Sequence, residues 1–105
     1  MKEFEGGRCL VSNRVIDQML ALRAAEVDGV LAVAGFDAES GTLRRGYERY
    51  IVTETENGEL ATELSIMVNK DRIIVQVVRD VQEAVCQEVE AVLGLACRRV
   101  NVHVL

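Results

Sequence analysis

The chain has 105 residues, of which 50% are apolar, and this size allows one domain with one hydrophobic core. Its 17 acidic and 12 basic residues give a net charge of −5, which argues against nucleic acid as a partner, because cationic side chains supply most non-specific affinity for phosphates. The longest wholly aliphatic run, residues 30–34, is far shorter than the roughly 20 residues that cross a bilayer. We therefore predict a single soluble domain, residues 1–105, that is not inserted in a membrane.

The three cysteines, Cys9, Cys86 and Cys97, are odd in number and lie far apart in the sequence. This spacing forms neither a disulfide framework nor a CxxC metal or redox pair. It predicts free thiols in a reducing cytosol, with Cys86 acting as a small apolar side chain beside the helix stripe described below.

The first half of the chain predicts a strand, a helix and a second strand. Residues 8–11 are the first strand candidate, and Ser12 or Asn13 can cap the helix that follows. Apolar residues then recur at helical spacing until Asp28-Gly29, where the glycine indicates the end of the helix. Residues 30–36 read as a mostly buried strand, and residues 37–46 as a polar loop. The predicted inner stripe of the helix consists of Val15, Ile16, Met19, Leu20, Ala24 and Val27.

Asn57-Gly58, between two strand-like runs, predicts a two-residue type I′ hairpin, because both residues tolerate positive φ. The turn fixes the register of the two strands. The predicted pairs are Thr55 with Leu60, Thr53 with Thr62, Ile51 with Leu64, Arg49 with Ile66 and Tyr47 with Val68. Side chains alternate between the two faces of a sheet. The core face therefore consists of Leu60, Leu64, Ile66, Val68, Ile51 and Tyr47, and the opposite face of Glu54, Glu63 and Ser65.

Spacings of three and four residues predict a long second helix from about residue 74 to Leu93, ended by Gly94. Its predicted stripe consists of Ile74, Val78, Val81, Val85, Val89 and Val92. Alternating valines in residues 100–104 indicate a final strand. The order βαβββαβ predicts an α+β fold with two layers, in which both helices cover one face of a mixed five-stranded sheet.

The sequence offers no arrangement of residues that points to catalysis or metal binding. Cys97 and His103 are predicted on the same face of the last strand, but six residues place them roughly 20 Å apart, too far to share a metal ion. His103 is also the only histidine. We predict no catalytic residue, no cofactor and no metal site.

Two charged surfaces are candidates for binding. Arginines in the central loop and the last strand could form a basic patch for RNA or a small ligand, and a solvated surface is the alternative; they are Arg44, Arg45, Arg49, Arg98 and Arg99. Acids on the long helix lie off its valine stripe, where a solvent face and a surface for a protein partner are the two alternatives; they are Asp80, Glu83, Glu88 and Glu90.

The order of these elements resembles the alkaline shock protein family, the Asp/Gls envelope-stress family of Gram-positive bacteria. The resemblance rests on residues 24–30 after the first helix and, in the last third, on Val81-Gln82, Val85, residues 89–92, Gly94-Leu95 and residues 100–104. It extends from about Gly7 to Leu105. The chain departs from the family pattern at Asp28, where proline is usual, and at residues 69–72, where the turn usually carries glycine.

The resemblance implies a small cytoplasmic protein of cell-envelope stress and homeostasis. Members of the family self-associate, and some are held at the membrane by a separate anchor protein. The resemblance supplies no catalytic residues. We therefore expect a non-enzymatic scaffold or adaptor that forms homo-oligomers and binds a protein partner, a membrane anchor protein being one candidate. The alternative is a regulatory module that binds RNA or a small ligand through the arginines.

Overall fold

The computed structural model describes residues 13–105. Its helices are α1 (Asn13–Ala25) and α2 (Ile74–Glu88), the second extended by a π-helical turn at Val89–Leu93. Its strands are β1 (Val30–Val33), β2 (Phe36–Asp37), β3 (Thr42–Leu43), β4 (Ile51–Glu56), β5 (Glu59–Val68) and β6 (Ala96–Val104). The predicted strand at residues 8–11 and the predicted cap Ser12 lie outside the described residues.

The main sheet is built around β5, the longest strand. Strands β4 and β1 both pair antiparallel with β5, whereas β6 pairs parallel with it over residues 59–66. Because β6 uses one edge of β5 for that whole length, β4 and β1 lie end to end along the other edge. The predicted α+β class with a mixed sheet is confirmed, with four strands in the main sheet of the described residues.

The predicted hairpin at Asn57-Gly58 is confirmed, since both residues have positive φ, 53° and 77°. The pairs Thr55 with Leu60, Thr53 with Thr62 and Ile51 with Leu64 are also confirmed. The two pairs predicted further out are wrong: Ile66 pairs with Val33, and Val68 pairs with Val30. The cause is a 3-10 turn at Tyr47–Arg49, preceded by Gly46 at φ 81°, because of which β4 begins only at Ile51.

The inner face of α1 agrees with the prediction at Ile16, Leu20 and Ala24, which are all buried. Val15 was predicted in the stripe but is 49% exposed, and Asp17 is buried instead. The helix ends at Ala25, and the chain reverses through Gly29 at φ +97°.

The central part of the predicted stripe of α2 is confirmed, because Val81, Val85 and Val89 are fully buried. Its two ends are wrong: Ile74 is 51% exposed and Val92 is 58% exposed. Ile74 stands in the first turn, where Val77 makes the first core contact. At the other end, the π-helical turn adds one residue to the helical repeat. Leu93 rather than Val92 therefore packs against the core.

The segment predicted as a polar loop, residues 37–46, instead contains part of a small hairpin. Strands β2 and β3 pair Phe36 with Leu43, and both side chains join the core.

An ion pair joins two segments distant in sequence, because Arg72 donates two hydrogen bonds of 2.6 and 2.9 Å to the carboxylate of Asp28. Both residues lie at positions where the sequence analysis marks a departure from the family pattern, and the ion pair joins them.

The prediction of unpaired cysteines is wrong for two of the three. Cys86 on α2 and Cys97 on β6 form a disulfide, with Cα atoms 5.5 Å apart. Cys9 lies outside the described residues. The prediction that Cys97 and His103 share a face is also wrong, because β6 has a register irregularity at Arg98. Cys97 pairs with Leu60 on the core face, whereas His103 pairs with Ser65 on the open face.

Candidate functional site

Strand β6 has nine residues and pairs with β5 along one of its two edges. The amide of Leu105 donates to the carbonyl oxygen of Ile66 at 2.9 Å, so alternate residues of β6 face β5. The backbone groups of Val100, Val102 and Val104 therefore face outward. Within residues 13–105, no strand pairs with this outer edge.

One group on this edge does have a partner. The side-chain amide of Gln82, on α2, donates to the carbonyl oxygen of Val100 at 3.0 Å. This contact caps one acceptor at the centre of the strand. The outward amides and carbonyls of Val102 and Val104 make no hydrogen bond within the described residues, and so they are free to pair with an added strand.

The sheet face opposite the helices carries charged, polar and small side chains. It contains a shallow depression of about 80 Å³, far smaller than the roughly 300–1,000 Å³ of small-molecule pockets. The residues around it are Val52, Glu54, Ala61, Thr62, Glu63 and Arg99. Its size and openness favour a surface for contact with a macromolecule over a site that encloses a substrate.

His103 contacts an acid on this open face. Its Nε2 atom lies 3.3 Å from Oε1 of Glu63 on the neighbouring strand, and both side chains are exposed. No third side chain able to bind a metal joins them, and residues 13–105 contain no group of three or more such ligands.

The structure divides the predicted basic patch between the two edges of the sheet. Arg98 and Arg99 lie on β6, whereas the other three arginines precede β4, on the far side of β5. All five are exposed, and they are Arg44, Arg45, Arg49, Arg98 and Arg99. A single basic patch formed by both groups of arginines stays a prediction.

The four predicted acids lie on or just beyond α2. Glu83 and Glu90 are exposed, whereas Asp80 and Glu88 are partly buried, and Asp80 accepts a hydrogen bond from Gln76 at 3.0 Å. None of the four belongs to the core cluster. Their role as a partner surface stays a prediction.

The structure also contains a buried polar cluster that the sequence reasoning missed. Asp17 on α1 is only 5% exposed, and its Oδ1 atom has no hydrogen-bond partner among the described residues. Below it, the hydroxyls of Thr53 and Thr62 lie 2.9 Å apart, and the Arg14 guanidinium stands 5.4 Å from the centre of the Tyr47 ring. The sequence contained one signal for this cluster. The predicted hairpin register pairs Thr53 with Thr62, and alternation places this polar pair on the predicted core face.

Burial raises the pKa of the Asp17 carboxyl, and the charge of Glu48 adds to the rise. Hydrogen bonds from the hydroxyls of Thr53 and Tyr47 act in the opposite direction. Burial also raises the pKa of Tyr47, with a further contribution from the charge of Asp17. Burial therefore makes ionisation of Asp17 less favourable in the folded domain than in the unfolded chain.

A raised pKa makes Asp17 a source of pH-dependent stability. The native state holds this proton more strongly than the unfolded chain does, whose carboxyl has a pKa near 3.8. The stabilising effect is complete below that value and is lost as pH rises through the native pKa. We expect Asp17→Asn to raise the stability at pH 8 by about 1 kcal/mol and to flatten its decline with pH above 4.

Thermal melts of wild type and Asp17→Asn between pH 3 and pH 9 test this expectation. Glu54→Gln is the matched control, because Glu54 is exposed and its replacement should leave the pH profile unchanged. Parallel curves for wild type and Asp17→Asn would show that the buried carboxyl does not control the profile.

Comparison with solved structures shows the same fold in the MamM CTD. A variant of that domain matches with a TM-score of 0.62 and 14% identity, covering 90% of this chain and 98% of the other. A nickel form matches with a TM-score of 0.60 and 15% identity, and a manganese form with 0.59 and 15%, each covering 87% of this chain and 94% of the other. At these identities the likeness concerns the fold alone, and the metals are those of the MamM structures.

None of the curated proteins matches this sequence. Among residues 13–105, no helix is both long enough and apolar enough to cross a membrane. The predicted family resemblance is confirmed by a match over residues 1–105 to the family model for alkaline shock protein 23, which describes a cell envelope-related function. The chain belongs to this family.

Proposed function

We propose that this protein is a non-enzymatic scaffold of cell-envelope homeostasis that assembles with copies of itself through the outer edge of β6 and binds a protein partner. The observation that carries the proposal is the outer edge of β6, which has no strand partner among residues 13–105. The family has a cell envelope-related function, which a structural or adaptor role would serve. The depression on the open face is shallow, which suits contact with a macromolecule.

The sequence of β6 suits antiparallel pairing with a second copy about a two-fold axis at Val102. In that register Val102 faces its own copy and Val100 faces Val104, so all the outward groups of the three valines find partners. On the open face Asn101 faces His103, and hence no two like charges stand directly opposite each other. Pairs of β-branched side chains are favourable across strands, which adds to the backbone hydrogen bonds.

Gln82 opposes this pairing. Its side chain occupies the carbonyl oxygen of Val100, which must be released before the second strand adds. Gln82 thus satisfies one edge acceptor while the protein is a monomer. It lowers the affinity of assembly by competing for the same group.

We predict that a proline in the edge strand β6 weakens self-association. Val102→Pro removes an outward amide and no hydrogen bond to β5, so we expect a folded protein whose self-association weakens at least tenfold, about 1.4 kcal/mol. Gln82→Ala should strengthen self-association, because it frees the carbonyl of Val100. Sedimentation equilibrium on the full chain over a wide concentration range measures both changes.

Asn101→Pro is the control for proline as such. Its amide faces β5, so this variant should lose stability in a thermal melt, unlike Val102→Pro. A wild-type protein that stays monomeric at high concentration would refute self-association. Assembly that survives Val102→Pro unchanged would refute the β6 edge as its site.

The second part of the proposal is a cytoplasmic protein partner. The acids on α2 offer a negatively charged surface, and a basic segment of an anchor protein at the membrane is the partner of complementary charge. Such a partner would place the scaffold at the envelope. The RNA- or ligand-binding alternative draws no support from the separated arginine groups.

A further inference from the structure

The Cys86–Cys97 bridge connects the last turn of α2 to the beginning of β6. The Cα atoms lie 5.5 Å apart, within the usual range for disulfides, so the bond requires no movement of the backbone. The bridge closes a ring that contains the π-helical turn and Gly94, which has φ 68°. It therefore fixes the stretch of chain that leads from α2 to the edge strand β6.

The fold does not depend on this bridge for its core. Helix α2 is held to the sheet by Val77, Val81, Val85 and Val89, which are all buried. These four side chains belong to the core cluster itself, whereas Cys86 and Cys97 are partly buried at its border. We therefore expect the reduced chain to retain the fold, with local loosening between residues 89 and 98.

The bridge is also within reach of small reagents. Both cysteines are only partly buried, and the ring between them exposes Glu90, Ala91 and Val92 to solvent. Thiol–disulfide exchange requires that a thiolate approach one sulfur along the S–S axis, which an enclosed bridge prevents. Here no described element covers the ring as a whole.

We propose that Cys86 and Cys97 form a reversible redox site that exchanges with a low-molecular-weight thiol and its disulfide. In reduction, a thiolate RS⁻ attacks one sulfur, a mixed disulfide forms, and the other cysteine leaves as a thiolate that takes up a proton. A second RS⁻ then displaces the first cysteine and releases RSSR. Two electrons pass from two thiols to the protein, and oxidation by RSSR follows the same steps in reverse.

This site goes beyond the proposed scaffold role and stands whether or not the protein self-associates. Its consequence is a domain with two forms that differ in the C-terminal segment. The oxidised form is clamped from α2 to β6, whereas in the reduced form residues 89–98 open more readily. Closing a ring of this length raises the melting temperature of a small domain by roughly 10–20 °C.

The test uses the full chain carrying Cys9→Ser, so that only Cys86 and Cys97 react. The protein is equilibrated in buffers of varying reduced to oxidised glutathione, quenched with acid and labelled with N-ethylmaleimide, and its intact mass is measured. We expect a single transition between no labels and two labels, with peptide mapping of the Cys86–Cys97 link. If the protein in fully oxidised buffer carried two labels, or only glutathione adducts, and no Cys86–Cys97 link, the proposal would be overturned.

Melting experiments decide whether the bridge is a reversible feature or a requirement for folding. Cys86→Ala and Cys97→Ala should each melt cooperatively near the temperature of the reduced protein, with no response to the buffer. An unfolded variant or an unfolded reduced chain would contradict reversibility. Equal melting temperatures for the oxidised and reduced forms would contradict the clamp.

Discussion

Val85→Asp is expected to unfold the domain. Val85 is fully buried on the face of α2 that packs against the sheet, and none of the described basic residues belongs to the core cluster around it. A carboxylate there would lose its hydration without gaining a counter-charge, which costs at least about 4 kcal/mol. Domains of this size have total stabilities of roughly 5–15 kcal/mol. Circular dichroism with urea titration at pH 7 should therefore show a largely unfolded chain.

Val92→Asp is the matched control, because it places the same change one heptad further along the chain. Val92 is 58% exposed within the π-helical turn, so its substitution should cost less than about 1 kcal/mol. A continuous α-helix would instead bury Val92 with Val85 and Val89. Equal loss of stability in the two variants would therefore contradict the π-helical turn, and a folded Val85→Asp would contradict the orientation of α2.

Gly29→Ala is expected to cause the second largest loss, about 3 kcal/mol. Gly29 has φ +97°, a conformation that side chains with a Cβ rarely adopt, and an added Cβ would lie 2.7 Å from Cγ2 of Val77. Val77 is 3% exposed in the core and cannot move away without disturbing α2. Urea titration of the variant measures the loss as a lower midpoint.

Gly41→Ala separates the backbone effect from the clash. Gly41 also has a positive φ, +71°, but an added Cβ there meets nothing within 4 Å. We expect this variant to lose about 1 kcal/mol, from the backbone conformation alone. If the two alanine variants lost equal stability, the close packing of Gly29 on Val77 would be refuted.

The parts of the fold that could be predicted are those with a local cause. Asn57-Gly58 set the hairpin, because its φ angles and the alternation of side chains depend on residues near the turn. The stripe through Val81, Val85 and Val89 followed from helical periodicity, and Gly94 marked the end of the helix.

The errors come from single-residue changes of phase. The π-helical turn moves Val92 outward, and the irregularity at Arg98 puts Cys97 and His103 on opposite faces. The spacing of three from Val89 to Val92 continues the helical pattern and gives no sign of the turn, whereas the adjacent Arg98 and Arg99 interrupt the alternation of β6. The extra residue is accommodated by tertiary contacts, which the pattern does not contain.

The polar features of the structure depend on contacts between residues distant in sequence, which local patterns do not predict. Cys86 on α2 and Cys97 on β6 meet because the two elements pack together, which brings their Cα atoms to 5.5 Å. Asp17 is buried although charged residues usually face solvent, because Thr53 and Thr62 provide a polar floor. The ion pair of Asp28 with Arg72 joins two segments that the sequence showed only as separate departures from the family pattern.

Amide hydrogen exchange of β6, followed by NMR at low and high protein concentration, tests the proposed assembly most directly. Self-association through the edge predicts that the amides of Val102 and Val104 become protected as concentration rises. The amides of Asn101 and His103, which face β5, should exchange slowly and equally at both concentrations. Fast exchange of Val102 and Val104 at every concentration would contradict the role of β6 as the surface through which copies of this protein assemble.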